Sequence, residues 1–220
     1  MTITAINGSP KGEKSNSREI ISMIQSMLPP ETEWNIISSI RHTEKIDAAV
    51  LEKYVSSDVL LIAFPLYVDS LPASLMQFLS LYEKGYRQFA KEGKQQRVFA
   101  VANCGFYEGQ QNELALKVVE HFCESAGLAW CGGAGIGTGE MILGLKSVPG
   151  EAGIKKSVTH ALRSIADAIS SCDGRAAGNI YTQHNFPWIL YKIAGEMGWR
   201  KMVKKNGLNR KQIDARPLLS

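Results

Sequence analysis

Apolar residues along the chain fall into short, nearly continuous runs that alternate with stretches where they recur every three or four positions. The runs cover Ile3–Asn7, Trp34–Ser38, Val59–Phe64, Val98–Asn103 and Leu128–Ile136. The first, third and fourth show no in–out alternation, the pattern of strands covered on both faces. Helical periodicity occupies the intervals at about residues 17–28, 46–55, 73–84, 112–126 and 153–171. Strict alternation of strand and helix predicts an α/β fold, a doubly wound five-stranded parallel sheet with helices on both faces. The expected strand order is 2-1-3-4-5, with the ligand crevice at the carboxyl ends of strands one and three, where the winding reverses.

Beyond the fifth unit the pattern changes. Cys172–Asn179, rich in glycine and small polar residues, reads as a linker. Trp188–Lys205 is helical again but interrupted by Gly195 and Gly198, and Asn206-Gly207-Leu208 is a glycine helix stop followed by an apolar residue. The expected organisation is therefore a domain over 1–175 and a basic amphipathic helical extension over 176–220. The net charge of +4 supports that division. Residues 181–220 hold eight basic side chains against two acids, Glu196 and Asp214, a net +6, which leaves the body at −2. A chain of 220 residues can bury a substantial core. No apolar run approaches a membrane span, and the N-terminus enters a strand-like run with no basic region before it, so no signal peptide is expected. The four cysteines lack any Cys-x-x-Cys spacing, which argues against a zinc ribbon or iron–sulfur cluster and for reduced thiols in a cytoplasm.

Three loops at the carboxyl ends of strands one, three and four carry the candidate chemistry. The first, Ile6-Asn7-Gly8-Ser9-Pro10-Lys11-Gly12-Glu13-Lys14-Ser15-Asn16-Ser17, offers hydroxyls, an amide, a lysine and the start of a helix. One serine would be an ordinary cap. Ser9, Ser15, Asn16 and Ser17 together, with Lys11, exceed what a cap needs and suit a terminal phosphate at a helix N-terminus. No Gly-Lys-Ser/Thr closes the loop, so it is not a nucleoside-triphosphate loop. The second, Phe64-Pro65-Leu66-Tyr67-Val68-Asp69-Ser70-Leu71-Pro72-Ala73, is stiffened by two prolines. It suits a wall for a flat aromatic ring, and equally a packed loop with Tyr67 in the core. The third, Asn103-Cys104-Gly105-Phe106-Tyr107, brings a flexible glycine and two aromatics. Cys104 lacks a local partner that would activate it and reads as a small buried thiol. Gly132–Gly139 fails the dinucleotide spacing in every register and reads as a flexible crossover near the site, with nicotinamide contact as the weaker alternative. His42 falls in a loop with no metal-like companion, and His121 and His160 sit in helical patterns and read as structural or surface residues. His184 reads as structural, with a fold toward the cleft as its alternative; no metal site is expected.

Taken together, Gly8-Ser9-Pro10 with Ser15-Asn16-Ser17, Pro65-Leu66-Tyr67-x-x-Ser70-Leu71-Pro72-Ala73 and Asn103-Cys104-Gly105-Phe106 resemble the flavodoxin-like NAD(P)H-dependent FMN reductases. These include the quinone reductases and the flavin domain of iron–sulfur flavoproteins. The resemblance covers about residues 1–170. It implies a flavodoxin-like fold, with the FMN phosphate held by Ser9, Lys11, Ser15, Asn16 and Ser17. It places the isoalloxazine against Pro65, Leu66, Tyr67, Val68, Asn103, Cys104, Gly105 and Phe106. Val68 stands where many relatives have Trp, and the compact cysteine motif of the cluster-bearing members is absent.

The implied activity is hydride transfer from NADH or NADPH through bound FMN to a small acceptor such as a quinone, a nitro or azo compound, or free flavin. The chemistry then belongs to the cofactor, so no catalytic side chain is assigned. Backbone N–H groups of the second and third loops are expected at the flavin's polar edge. A homodimer or homotetramer is expected, with neither nucleic acid nor membrane as partner. The alternative is an electron-carrier flavodoxin without NAD(P)H oxidation, although such carriers tend to be acidic.

Overall fold

The computed structural model describes residues 1–42, 45–90, 93–171, 178–209 and 212. Its strands are β1 (Thr2–Asn7), β2 (Glu33–Ser38), β3 (Val59–Pro65), β4 (Arg97–Asn103), β5 (Ala129–Ile136) and β6 (Gly178–Thr182). Helices α1 (Asn16–Met27), α2 (Ala48–Val55), α3 (Ala73–Phe89), α4 (Glu113–Ala126), α5 (Met141–Gly144) and α6 (Gly153–Ser170) intervene, and α7 (Trp188–Lys205) follows. All strand pairs are parallel, in the order β2-β1-β3-β4-β5-β6.

The five expected strands and their order are present, but the sheet has six strands rather than five. The sixth comes from residues expected to lie in the linker and extension. β6 pairs with β5 from Gly132↔Gly178 to Ile136↔Thr182. It escapes notice in the sequence because it is a short edge strand, half-exposed, with only Ile180 and Tyr181 to mark it. The rest of the expected linker, residues 172–177, lies outside the described residues.

β3 shows why the central strands read as continuous apolar runs. Val59 to Phe64 are fully buried. Leu60, Ile62 and Phe64 pack with α2, α3 and α4, whereas Val59, Leu61 and Ala63 pack with α1 and α6. At the amino ends of the strands the polar groups satisfy one another. Buried Gln96 accepts from Tyr82 Oη at 2.7 Å and donates to Ser57 Oγ at 2.7 Å. The Arg97 guanidinium donates to the carbonyls of Ile169 and Ser171 at the end of α6. The carboxyl ends are finished by long loops instead.

The chain divides into two compact units, Met1–Asn185 and Phe186–Ser220. In the second, α7 runs unbroken through Gly195 and Gly198, so the expected interruption is not present. It ends as the sequence suggests: Gly207 has φ +72° and the Leu208 N–H returns to the Val203 carbonyl. None of its residues is buried. At 100° per residue, Trp188 and Trp199 share one side while Leu190 and Met197 occupy the opposite one, so apolar side chains occur on every side of the helix, interspersed with six charged ones.

Candidate functional site

The loop after β1 is organised by Asn7, a fully buried residue at the strand's end. Its Nδ2 donates to the Gly12 carbonyl at 2.8 Å, and its Oδ1 accepts from Ser9 N at 3.1 Å and Ser15 Oγ at 3.3 Å. Gly12, at φ +60°, lets the chain turn back into a short 3-10 segment. Ser15 is the N-cap of α1, accepting from Arg18 N at 3.1 Å. With Ser15 spent as a cap, Ser9, Lys11, Asn16 and Ser17 are left to face the cleft at the positive end of the helix. Asn16 Oδ1 is buried there without a hydrogen-bond partner.

The loop after β3 folds back on itself. Tyr67 and Ser70 exchange both backbone hydrogen bonds, at 2.9 and 3.0 Å, across Val68 and Asp69. Both central residues are left-handed, at φ +49° and +57°. Val68 stands 98% exposed at the tip and does not line the cleft. Tyr67 is half exposed at the cleft wall, so the reading that buries it in the core falls.

Asn103 ends β4 and joins the three loops. Buried to 3% exposure, its Nδ2 donates to the Phe64 carbonyl at 2.9 Å and to Ser17 Oγ at 3.2 Å. The next residue, Cys104, is also buried, and its thiol accepts from Asn112 Nδ2 at 3.3 Å. Burial pushes its pKa up, which keeps it protonated and a poor nucleophile. Leu66 N donates to the Asn103 carbonyl and Cys104 N to the Ile136 carbonyl. With Tyr67 N also engaged, these three N–H groups are tied within the protein rather than offered to a ligand edge. Phe106 is exposed and outside the cleft.

The fourth wall comes from the segment after β5, where Gly139 and Glu140 line the cleft. The glycines before it do not form a flexible crossover. Gly132, Gly133 and Gly135 lie within β5, and a Cβ on Gly135 would come within 2.8 Å of the Gly109 carbonyl. Thr138, at φ +52° and fully buried, turns the chain. Its Oγ1 lies 2.9 Å from His184 Nδ1 and accepts from His184 N at 2.9 Å. His184 is buried, and desolvation, then the Lys155 charge, hold its pKa down to about 4. The imidazole is therefore neutral at pH 7, a structural prop behind the wall.

The cleft thus assembles Ser9, Lys11, Asn16, Ser17, Pro65, Leu66, Tyr67, Asn103, Cys104 and Gly105, as expected from the loops. It leaves Ser15 as a cap and Val68 and Phe106 outside. Gly139 belongs to the glycine run expected near the site, whereas Glu140 is a lining residue that sequence reasoning missed. The cleft's volume is about 90 Å³. That is below the ~300–1,000 Å³ of a fully enclosing ligand pocket, so a larger ligand would lie partly in the open. Among the described residues no cluster of His, Cys, Asp and Glu could hold a metal, and no helix is long and apolar enough to cross a membrane.

No family model matches the sequence, and no curated protein matches it. Solved structures do match in three dimensions. The NAD(P)H:quinone oxidoreductase from Methanothermobacter marburgensis superposes over 77% of this chain and 96% of its own, with TM-score 0.55 and 14% identity. General stress protein 14 from Treponema denticola, in complex with FMN, matches over 77% of this chain and 99% of its own, with TM-score 0.53 and 14% identity. The Trp repressor binding protein from Bacillus subtilis matches over 78% and 99%, with TM-score 0.52 and 15% identity. The fold is flavodoxin-like. In a flavodoxin-like sheet the crevice belongs outside the carboxyl ends of β1 and β3, and the cleft described above opens there.

Proposed function

We propose that the protein is an FMN-dependent NAD(P)H oxidoreductase that reduces a small acceptor, with quinones, nitro or azo compounds and free flavin as the candidate class. The observation that carries this reading is the two-ended cleft. At one end the start of α1 gathers Ser9, Lys11, Asn16 and Ser17. At the other, the stiff Pro65-Leu66-Tyr67 segment faces Cys104 and Gly105. A terminal phosphate fits the first and a flat ring the second.

Asn16 supports the fit. Its Oδ1 lacks a partner, and a 180° flip of the amide would present Nδ2 as a donor in its place. Ser9 and Ser17 hydroxyls, the Lys11 ammonium and the first N–H groups of α1 would complete the phosphate shell. When bound, FMN supplies hydride acceptance from a nicotinamide and electron delivery to the acceptor. The chain's own residues position it: Leu66 and Tyr67 bound one side of the ring site, and Cys104 contributes a neutral thiol and the adjoining flexible Gly105. The partly open cleft leaves room for a second substrate.

The structural likeness to a quinone oxidoreductase and to a protein solved with FMN supports the same reading. The three described cysteines are free, consistent with a cytoplasmic home. The exposed apolar side chains of α7, Trp188, Ile189, Met197 and Trp199 among them, we assign to contact with a second copy, making the protein a homo-oligomer. The deciding experiment is an anaerobic absorbance titration of the FMN-loaded protein with NADH and with NADPH. Bleaching of the flavin band without another enzyme is expected with at least one donor. A flavin that stays oxidised with both would leave an electron carrier.

A further inference from the structure

Two of the residues lining the cleft carry charge, Lys11 and Glu140. They follow β1 and β5, strands separated by three sheet spacings, about 14 Å. Lys11 belongs to the phosphate end. Glu140 flanks the other end, beside Gly105: its Oε1 lies 4.0 Å from where a Cβ on Gly105 would sit. None of the ion pairs among the described residues uses Glu140.

The segment bearing Glu140 is held from every side. Thr138 adopts a left-handed backbone that β-branched residues adopt reluctantly, locked by buried His184. Gly139 N donates to the Cys104 carbonyl at 2.7 Å, Lys146 pairs with Glu19 on α1 at 2.6 Å, and buried Lys155 donates to the carbonyls of Leu145 and Val148. A strained, pinned turn therefore presents one carboxylate at the cleft beside Gly105.

We infer that Glu140 selects the second substrate by charge, favouring cationic and neutral aromatic acceptors over anionic ones. This rests on the FMN reductase reading. A fixed charge within several ångströms of an ionic substituent, in partly screened solvent, shifts affinity about three- to tenfold.

The test uses three naphthoquinones of one scaffold, bearing a sulfonate, a trimethylammonium or no ionic group. Binding to the oxidised FMN-loaded protein is measured by calorimetry, and turnover with the better nicotinamide in parallel. In the unaltered protein the cationic quinone should bind and turn over better than the anionic one, by a ratio that collapses in 1 M salt. Glu140→Gln should shrink that ratio about three- to tenfold and Glu140→Lys invert it. Glu31→Gln, the same change of net charge before β2 at the opposite end of the sheet, should leave the ratio alone. An unchanged ratio in Glu140→Gln overturns the inference, as does failure of all three quinones to bind. If neither nicotinamide bleaches the flavin, the reductase reading fails, yet the calorimetric ratio still decides the role of Glu140.

Discussion

At the residue scale, two buried side chains, Asn103 and His184, brace the cleft from different sides. Asn103 bridges the end of β3 to the start of α1 through the Phe64 carbonyl and Ser17 Oγ. Asn103→Ala leaves the Phe64 carbonyl without that donor, a loss of about 1–3 kcal/mol, and frees α1 to drift from the ring end. Chemical denaturation should show the drop, and FMN should dissociate more readily. His184 couples stability to pH. Its folded pKa, about 4, lies below the unfolded value near 6.5, so the unfolded chain binds more protons between them. The stability it confers is full above about pH 6.5 and is lost as pH falls toward 4, on the order of 2–3 kcal/mol. His184→Asn should flatten the acid limb in that window when melting temperature is followed against pH. Asp58, held below its usual range by Lys94, acts only lower, within the carboxylate range.

Among the elements, what the sequence reveals depends on how completely an element is buried. The first five strands and the helices between them announce themselves, most plainly β1, β3 and β4, whose two faces must both be apolar. β6 is a half-exposed edge strand like β2 but shorter, with Ile180 and Tyr181 where β2 has Trp34, Ile36 and Ile37, so its five residues carry almost no pattern. The same contrast governs the site. Ser9, Asn16 and Ser17 were visible as an excess of hydroxyl and amide groups at a helix start. Glu140 was not, because a lone acid after a glycine run looks like any surface residue until the fold sets it beside Gly105. Nor does any local pattern reveal that Val68 points outward, since the turn geometry decides it. That turn yields a prediction. Val68 and Asp69 occupy two successive left-handed positions, where Asn-Gly is the preferred pair. Replacing them with Asn-Gly should stabilise the protein by about 1–2 kcal/mol, from the usual cost of a left-handed L-residue. Thermal denaturation of the double variant should show a rise of about 2–8 °C; a fall would mean that Val68 is held by contacts its 98% exposure does not reveal.

On the scale of the whole molecule, the boundary between the two units can be tested with two truncations. The second unit begins at Phe186, and β6 and His184 belong to the first. A chain ending at residue 185 loses α7 but keeps β6, Thr138's buried partner and every residue lining the cleft. It should fold with nearly unchanged melting temperature and retain FMN, while light scattering reports a smaller assembly, because the apolar surface of α7 is gone. A chain ending at residue 177 also loses β6 and His184. β5 then becomes an unpaired edge, Thr138 loses the group that locks its strained backbone, and the Gly139–Glu140 wall is freed. Its melting temperature should fall by about 5–10 °C, equivalent to about 2–4 kcal/mol in a domain of this size, and FMN retention should fall with it. Equal loss of flavin from both truncations would overturn the assignment of flavin binding to residues 1–185 alone.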